Sequence, residues 1–227
     1  MIFNAIHSSS HANLYTLTSD TSIIIECGLC GAALNKVLNH KITSHLGCLI
    51  SHAHSDHSSG CKDLLKLSVN CYMSKETAQK LKLNHHRVKI IKPLEQFSIK
   101  DWIILPFPTQ HDCPGSLGFL IEKDKNKVVF ITDSYYCKYK FKNLTHICIE
   151  CNWSYATLDP NINPTLKHRL VHSHFNLERV CEFLCENDLS LIKEIHLMHL
   201  SDNNSDEELF KKTIQKLTGK PVFVCKK

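Results

Sequence analysis

Long apolar runs are missing from this 227-residue sequence. A membrane-spanning helix needs about 20 consecutive apolar residues, and the best candidate, residues 22–34, is interrupted by Glu26 and by two glycines. The first ten residues also lack the basic start and the extended apolar segment of a secretion signal. We therefore expect a cytoplasmic protein that does not associate with a membrane.

Paired cysteine motifs and internal repeats are absent as well. The twelve cysteines are scattered through apolar runs, and the CxxC motif at residues 27–30 has no second pair at zinc-ribbon spacing. We interpret the cysteines as reduced, buried thiols, and not as a disulfide framework. No repeat, low-complexity tract or linker-like break divides the chain, so we expect a single domain over residues 1–227.

The overall composition is ordinary for a globular protein, with 43% hydrophobic and 22% charged residues. A chain of this length can bury one substantial core. The formal net charge of +5 favours an anionic substrate, although net charge acts on association and not on chemistry.

The apolar segments predict many strands with helices outside them. Three successive strands are expected before residue 28 and a helix over residues 30–39, and a second helix is expected over residues 58–68 with Ser58 or Ser59 as its N-cap. The segment EKDKNK is expected to form the polar tip of a hairpin. This pattern predicts a layered α/β domain with sheets inside and helices on the outer faces.

A cluster of histidines follows one short apolar strand, because residues 52–57 read His-Ala-His-Ser-Asp-His. A packed core disfavours such residues unless a partner satisfies them. His52 and His54 lie two positions apart, so an extended segment projects both to the same side. Asp56 and His57 come after a turn. One loop can therefore supply two imidazoles to one metal ion, and a carboxylate with an imidazole to a second.

Three later residues each stand at the end of an apolar strand: His111, Asp133 and His199. Taken singly, a histidine at a strand end is usually a satisfied surface group, and Asp133 could be a turn former. Side chains at the ends of several strands can face one rim of a sheet, however. Together with the cluster at residues 52–57, these three residues indicate a metal site.

The motif HAHSDH, followed by His111, TDS and HLS, resembles the metallo-β-lactamase fold over nearly the whole chain. The resemblance implies a four-layer αββα sandwich that binds two divalent metal ions, zinc in the first place and manganese as the alternative. It also implies the ligands: one metal takes His52, His54 and His111, the other takes Asp56, His57 and His199, and Asp133 bridges them.

Four motifs resemble a small exonuclease-like branch of that fold found in bacteria and phages. These are HLS, TQHDCPGSLGFLIE with the VVFITD close behind it, ICIECNW, in which Cys151 replaces a serine, and HSHFNLE with His174. In the last motif Ser173 replaces a glycine, and Phe175 and Asn176 replace a Leu-Ser pair. The resemblance implies a phosphodiesterase, and a nuclease in particular.

The implied mechanism uses a hydroxide that bridges the two metal ions and attacks phosphorus. Asp56 would orient it, and His174 would protonate the leaving group or bind the phosphate; His172 is the alternative for that role. The chain is too short for the additional domain of β-CASP nucleases. It also lacks the glycine-rich arm of the endonucleases that process tRNA 3′ ends.

Candidate substrate contacts follow two of the strands. Lys138, Lys140 and Lys142 repeat with period 2 and could bind phosphates from one face; a solvated basic edge is the alternative. Asn152 and Trp153 could contact a base or a sugar, or could instead have a structural capping role.

Two other activities stay open at this point. A cyclic-nucleotide phosphodiesterase would need a narrow pocket, closed by the partner subunit of a homodimer. A thioester or lactone hydrolase would need an apolar pocket without lysines near the metals. A binding module without activity is disfavoured, because every ligand position is filled. The expected partner is therefore a nucleic acid or a nucleotide.

Overall fold

The computed structural model describes residues 1–38 and 41–225. The chain divides into two compact units: the first comprises Met1–Pro108 with Cys113–Leu117, and the second comprises Thr109–Asp112 with Gly118–Cys225. Each unit has its own strands and helices. The single domain expected over residues 1–227 stays a prediction. Among the described residues, every helix is too short or too polar to cross a membrane.

The first unit contains a six-stranded sheet and a separate hairpin. The sheet strands are β1 (Ile2–Ser8), β2 (Asn13–Thr18), β3 (Ser22–Ile25), β4 (Cys48–Leu49), β5 (Cys71–Met73) and β6 (Val88–Ile90), in spatial order β1-β2-β3-β4-β5-β6. The first three strands pair antiparallel and the last four pair parallel. The antiparallel hairpin consists of β7 (Phe97–Ile99) and β8 (Trp102–Pro108). All three strands expected before residue 28 are therefore present.

The helices of the first unit bury apolar side chains among those of this sheet. They are α1 (Gly31–Val37), α2 (Ser55–Ser58), α3 (Cys61–Lys66) and α4 (Lys75–Lys80), with a 3₁₀ helix at Ile42–Ser44. Leu34, Leu64 and Ala78 belong to one core cluster with Ile24 and Cys48. The helix expected over residues 30–39 is present as α1, and its expected last residue, Asn39, lies outside the described residues.

The expected N-cap of α3 was wrong. Ser58 is the last residue of α2, and Gly60 occupies the N-cap position of α3. A Cβ atom at residue 60 would overlap the Leu29 carbonyl oxygen and the Cys27 sulfur. The packing of the chain against this point, which a capping pattern does not reveal, therefore requires glycine.

The second unit contains five strands of the other sheet and three helices. The strands are β9 (Leu117–Lys123), β10 (Asn126–Ile131), β11 (His146–Glu150), β12 (Glu194–Met198) and β13 (Val222–Val224), in spatial order β13-β12-β11-β10-β9. Strands β9 and β10 form the hairpin expected around EKDKNK, and β10 to β13 pair parallel. The helices are α5 (Pro164–Ser173), α6 (Leu177–Glu186) and α7 (Glu207–Thr218).

The junction between α5 and α6 is fixed to the end of β11. Asn152 N–H donates to the Phe175 carbonyl at 2.9 Å, and Leu177 N–H donates to the Trp153 carbonyl at 2.8 Å. The Asn176 side chain caps α6 by accepting from Arg179 N–H at 2.9 Å. His174, the residue directly after α5, is held in place by these bonds.

The close packing at Gly28 yields a stability prediction. A Cβ atom there would overlap the Asp56 carbonyl and lie 2.6 Å from the Asn13 nitrogen. We expect Gly28→Ala to lower the free energy of unfolding by about 1–3 kcal/mol, the usual cost of overpacking, measured by urea denaturation. Gly31→Ala is the control: Gly31 has a φ of +57°, but no described atom lies within 4 Å of the position that a Cβ would take there. A Gly28→Ala loss no larger than the control's would contradict this account.

Candidate metal centre

The first unit brings the four predicted ligands of the histidine cluster together. His52 and His54 follow β4, while Asp56 and His57 lie in α2. His52 Nε2 is 3.0 Å from His54 Nδ1. Asp56 Oδ2 is 3.0 Å from His57 Nε2. The cluster thus presents two pairs of donor atoms, as the sequence predicts.

Two of these histidines, His52 and His57, are oriented by contacts to their Nδ1 atoms. His52 Nδ1 lies 2.8 Å from Ser51 Oγ, and His57 Nδ1 lies 3.3 Å from Glu26 Oε2. A proton on Nδ1 leaves a lone pair on Nε2, the form in which imidazole binds a metal. These contacts therefore direct Nε2 of both rings toward the predicted partner ligands.

Glu26 is a buried carboxylate at the end of β3. Its Oε1 accepts a hydrogen bond from Ser51 N–H at 3.1 Å, and its Oε2 faces His57. Its φ of +63° is unusual for a residue with a side chain. One carboxylate therefore connects the backbone before His52 with the ring of His57.

Asn13 supports the carboxylate of Asp56 from β2. Its buried Nδ2 lies 3.3 Å from Asp56 Oδ2 and 3.2 Å from His57 Nε2. The same amide donates to the Ser9 carbonyl at 2.9 Å, and Tyr15 Oη donates to Asn13 Oδ1 at 2.9 Å. These bonds fix the amide on both sides, so it can hold Asp56 in one orientation.

The second unit places Asp133 between the other two predicted histidine ligands. Asp133 Oδ2 lies 3.7 Å from His111 Nε2, and Asp133 Oδ1 lies 3.8 Å from His199 Nε2. Asp133 and His199 follow β10 and β12, with φ values of +45° and +52°. Each carboxylate oxygen faces a different imidazole. A bridging role of Asp133 between two metal ions stays a prediction.

The Nδ1 atoms of His111 and His199 have anchors within the second unit. His111 Nδ1 donates to the Ser173 carbonyl at 3.1 Å, and His199 Nδ1 donates to Glu150 Oε1 at 3.1 Å. Burial lowers the pKa of His111, although the nearby Asp133 carboxylate acts in the opposite direction. This lowered pKa favours the neutral imidazole, the form in which a histidine binds a metal.

Glu150 is fully buried and holds His174. Its Oε1 accepts from His174 Nδ1 at 2.6 Å, and its Oε2 accepts from the backbone N–H groups of Ser134 and Phe175 at 3.1 Å each. Burial acts to raise the pKa of Glu150, but the charge on His174 and the hydrogen bonds hold it below its ordinary value. Burial likewise acts to lower the pKa of His174, but Glu150 raises it above its ordinary value.

Four residues of the second unit offer donor atoms within 4.8 Å of one another: Asp133, Glu150, His174 and His199. Both oxygens of Glu150 already accept hydrogen bonds. Glu150 is therefore better suited to orienting His174 and His199 than to binding a metal itself.

The donor geometry in each unit fits divalent metal ions. Two ligands on a tetrahedral ion with bonds of about 2.1 Å are separated by roughly 3.4 Å. The observed separations range from 3.0 Å for Asp56 and His57 to 3.8 Å for Asp133 and His199. Mixed nitrogen and oxygen donors are those that ions of the zinc class prefer.

The lysines after β10 have the alternation that the sequence suggests. Lys138, Lys140 and Lys142 are exposed, whereas Tyr139 between the first two is partly buried and Phe141 between the last two is buried. Lys140 Nζ lies 3.8 Å from a Glu186 oxygen. Phosphate binding by these lysines stays a prediction.

The other predicted contact residues have partners within the second unit. Asn152 is buried, and its Nδ2 donates to the His199 carbonyl at 2.7 Å. Trp153 is buried as well. His172 is exposed on α5, and its Nδ1 lies 2.7 Å from the His168 carbonyl oxygen. A substrate contact of Asn152 stays a prediction beside this structural bond.

The sequence reasoning missed the two glutamates that orient ligands. A signal was present, because Glu26 ends the apolar run SIII and Glu150 ends the strand HICIE, each inside the same Ile-Glu-Cys triplet. An acidic residue that directly ends a wholly apolar strand needs a partner. Asn13 carried no comparable signal, since an asparagine in a loop-to-strand junction is ordinary.

A mixed α/β fold with two sheets and with histidine and aspartate donors at strand ends is that of a metal-dependent hydrolase. The family described as the beta-lactamase superfamily domain matches residues 23–199, and the chain belongs to that family. The predicted metallo-β-lactamase fold and the predicted class of enzyme are thereby confirmed.

Individual relatives agree with this assignment. The chain is 24% identical to exodeoxyribonuclease YycJ of Bacillus anthracis, over 97% of this chain and 90% of the relative. In fold it is similar to the metallo-β-lactamase fold protein YhfI of Bacillus subtilis, with a TM-score of 0.75, 17% identity, and coverage of 99% and 95% of the two chains. It is also similar to the short form of human tRNase Z, with a TM-score of 0.64, 15% identity, and coverage of 100% and 96%.

The contact between Asn13 and Asp56 predicts a loss of metal affinity. We expect Asn13→Leu to weaken zinc binding by roughly 10- to 100-fold, as the loss of a group that orients a ligand typically does. Competition with a chromophoric chelator measures this directly. Tyr15→Phe, which removes the hydroxyl that donates to Asn13 Oδ1 and contacts Ser8 Oγ but leaves the Asn13 amide in place, is the matched control and should have a smaller effect. Equal affinities of Asn13→Leu and wild type would show that the amide does not position Asp56.

Proposed function

We propose that this protein is a phosphodiesterase that hydrolyses nucleic acid, with two divalent ions held by the seven ligands that the sequence predicts. Zinc is the first choice and manganese the alternative, because the donors are rich in imidazole. The relative YycJ, which is named an exodeoxyribonuclease and aligns over nearly all of both chains, supports a linear DNA substrate.

The observation that carries this proposal is the pair formed by His174 and Glu150. The short contact of 2.6 Å between His174 Nδ1 and Glu150 Oε1 raises the pKa of His174 above its ordinary value and so favours the protonated ring. The ring of His174 stacks on that of His199 with centroids 5.6 Å apart, and it meets the ring of His111 at the same distance. A proton donor therefore stands beside two of the predicted metal ligands.

This proton donor suits a phosphodiester substrate. An alkoxide leaving group is strongly basic and needs a proton as its bond to phosphorus breaks. A thiolate is a far weaker base and leaves without one, so the pair disfavours a thioester substrate. It does not distinguish a linear strand from a cyclic nucleotide, which stays the alternative, and lactones remain a second alternative.

The candidate site residues would have different roles in this hydrolysis. Two bound divalent ions would supply Lewis acidity to the phosphate oxygens. Asp56, held by Asn13 and partly exposed, would orient the attacking water and accept its proton. His174 would deliver a proton to the leaving oxygen, while Glu150 keeps its ring in place.

Two further expectations accompany this proposal. All twelve cysteines are free thiols, and most of them are buried, which favours the reducing environment of the cytoplasm. A homodimer would matter mainly for the cyclic-nucleotide alternative, in which a partner subunit would close the pocket.

The proposal predicts hydrolysis of linear strands that depends on Asp56. Purified protein, supplied separately with zinc and with manganese, would be incubated with labelled linear DNA and RNA and with 3′,5′-cyclic mononucleotides. We expect shortening of linear strands, and a loss of at least about 100-fold in Asp56→Ala, since a ligand matters more than the groups around it.

The other results of this assay are equally informative. Cleavage of the cyclic compounds alone would favour the cyclic-nucleotide alternative. If neither substrate were cleaved while the metals were bound, the phosphodiester assignment would be wrong, and thioesters and lactones would be assayed next.

The role of His174 predicts a dependence on the leaving group. On DNA, His174→Ala should lower kcat by roughly 10²–10⁴, the usual contribution of a general acid. On thymidine 5′-(p-nitrophenyl) phosphate the loss should be under about tenfold, because p-nitrophenolate is a weak base that needs little protonation. Steady-state kinetics on both substrates measures the difference.

Two neighbouring histidines on α5 complete this experiment. His168→Ala is the matched control, since His168 is exposed and stacks only on His172 in the described contacts. If His172→Ala instead of His174→Ala lost activity selectively on DNA, His172 would be the proton donor. Equal losses on both substrates in His174→Ala would contradict a general acid at this position.

A further inference from the structure

A cavity of about 270 Å³ lies in the first unit beside the histidine cluster. Ala53 and Ser55 line it, and both alternate along the chain with the predicted ligands His52, His54 and Asp56. Ala53 lies between His52 and His54 in the loop after β4, and Ser55 begins α2 directly before Asp56. The loop that presents the metal ligands therefore also forms one wall of this cavity.

The cavity combines apolar walls with polar groups. Leu81 and Leu83 supply apolar surface, while Ser58, Ser59 and Lys62 supply polar atoms. Ser58 Oγ donates to the His54 carbonyl at 2.8 Å, and Ser59 Oγ donates to the Gly28 carbonyl at 2.6 Å. Because both hydroxyl protons are used internally, their oxygens remain as acceptors for N–H groups. Such a lining suits a nucleobase with an adjacent phosphate for Lys62.

The leucines of this cavity belong to the most basic part of the chain. Residues 75–92, called the basic segment below, contain six Lys and Arg residues and one Glu. The whole chain has 27 Lys and Arg against 22 Asp and Glu, so 21 of each remain outside the segment. The formal charge of +5 therefore comes entirely from this segment.

The basic segment presents its charge to solvent. Its five lysines, Lys75, Lys80, Lys82, Lys89 and Lys92, are all exposed. Lys92 pairs with Glu95 at 3.2 Å, and Lys89 Nζ donates to the His86 carbonyl at 3.0 Å. The pKa of the exposed His86 is lowered, by desolvation first and then by neighbouring cations that include Arg87 and Lys89.

Protection of a sheet edge does not account for this concentration of charge. Strand β6 ends the first sheet, and a lysine such as Lys89 on an edge strand discourages aggregation. Lys80 and Lys82 lie outside β6, however, at the end of α4 and directly after it. They flank Leu81, a wall of the cavity, so they bring positive charge to its rim.

We propose that the cavity and the basic segment together form an extended binding site for single-stranded nucleic acid, in which the cavity takes one nucleotide next to the cleaved bond and the basic segment binds phosphates farther along the strand. This inference rests on the proposed function and names the form of its substrate. Cations that follow the phosphates are a recurring element of such sites. In this cavity Leu81 and Leu83 would provide the apolar contact to the base that aromatic side chains usually provide.

Binding measurements test this inference without hydrolysis. The affinity of Asp56→Ala for a 4-nucleotide and a 20-nucleotide single-stranded DNA would be measured over a range of salt concentrations. Adding Lys82→Gln and Lys89→Gln should reduce the slope of log K against log salt by roughly 1.4 for the longer strand, at about 0.7 per lost phosphate contact. The slope for the shorter strand should change less.

Two further variants separate the parts of the site. Lys62→Gln in the cavity should weaken both strands alike. Lys212→Gln with Lys216→Gln, two exposed lysines on α7, is the matched control and should leave the slope unchanged. An unchanged slope in Lys82→Gln/Lys89→Gln, or an equal change in the α7 control, would overturn the inference.

The two proposals can fail separately. Wild-type protein that shortens DNA while the Lys82→Gln/Lys89→Gln slope stays unchanged would keep the proposed function and overturn the binding site. Wild-type protein that cleaves no strand would contradict the proposed function, and the salt dependence of binding would still decide the inference.

Discussion

The pairing of a buried glutamate with a histidine ring is the interaction on which the candidate metal ligands of each unit depend. An unpaired carboxylate in a protein interior costs several kcal/mol, so it must have partners. Glu26 faces His57 at 3.3 Å, and Glu150 accepts from His199 at 3.1 Å. Each glutamate also accepts backbone N–H groups of its own unit. In each unit, therefore, a buried glutamate fixes the orientation of a histidine ring, His57 or His199, that is a candidate metal ligand.

Three residues that follow strands have unusual backbone conformations. Glu26, Asp133 and His199 each follow a strand and have φ values between +45° and +63°. A left-handed conformation costs a residue with a side chain about 1–2 kcal/mol, so surrounding bonds must maintain it. The turn it produces redirects the chain abruptly at the end of a strand and keeps the side chain at the rim of the sheet. Strain at these positions is therefore part of how the site is assembled.

Much of this could be predicted from the sequence, because the strands are strongly apolar and the ligands stand at their ends. His52, His54, Asp56 and His57 form one compact motif whose spacing alone implies two donor pairs. The contacts of Asn13 could not be predicted, since they join residues 43 and 44 positions apart. The predicted N-cap of α3 was wrong for a similar reason. Close approach of Leu29 and Cys27, about thirty positions earlier in the chain, leaves room only for glycine at residue 60.

The distribution of charge bears on the length of the substrate. Charges in solution are screened beyond about 8 Å at physiological salt, so the six cations spread along residues 75–92 act mainly on a ligand long enough to lie against them. A linear strand that passes through the cavity would meet one cation after another. The segment carries six cations and one acid while the remainder of the chain is balanced, with 21 of each. This imbalance is consistent with the proposed linear substrate, because a polyanion that extends along residues 75–92 would contact these cations, whereas a mononucleotide would contact few of them.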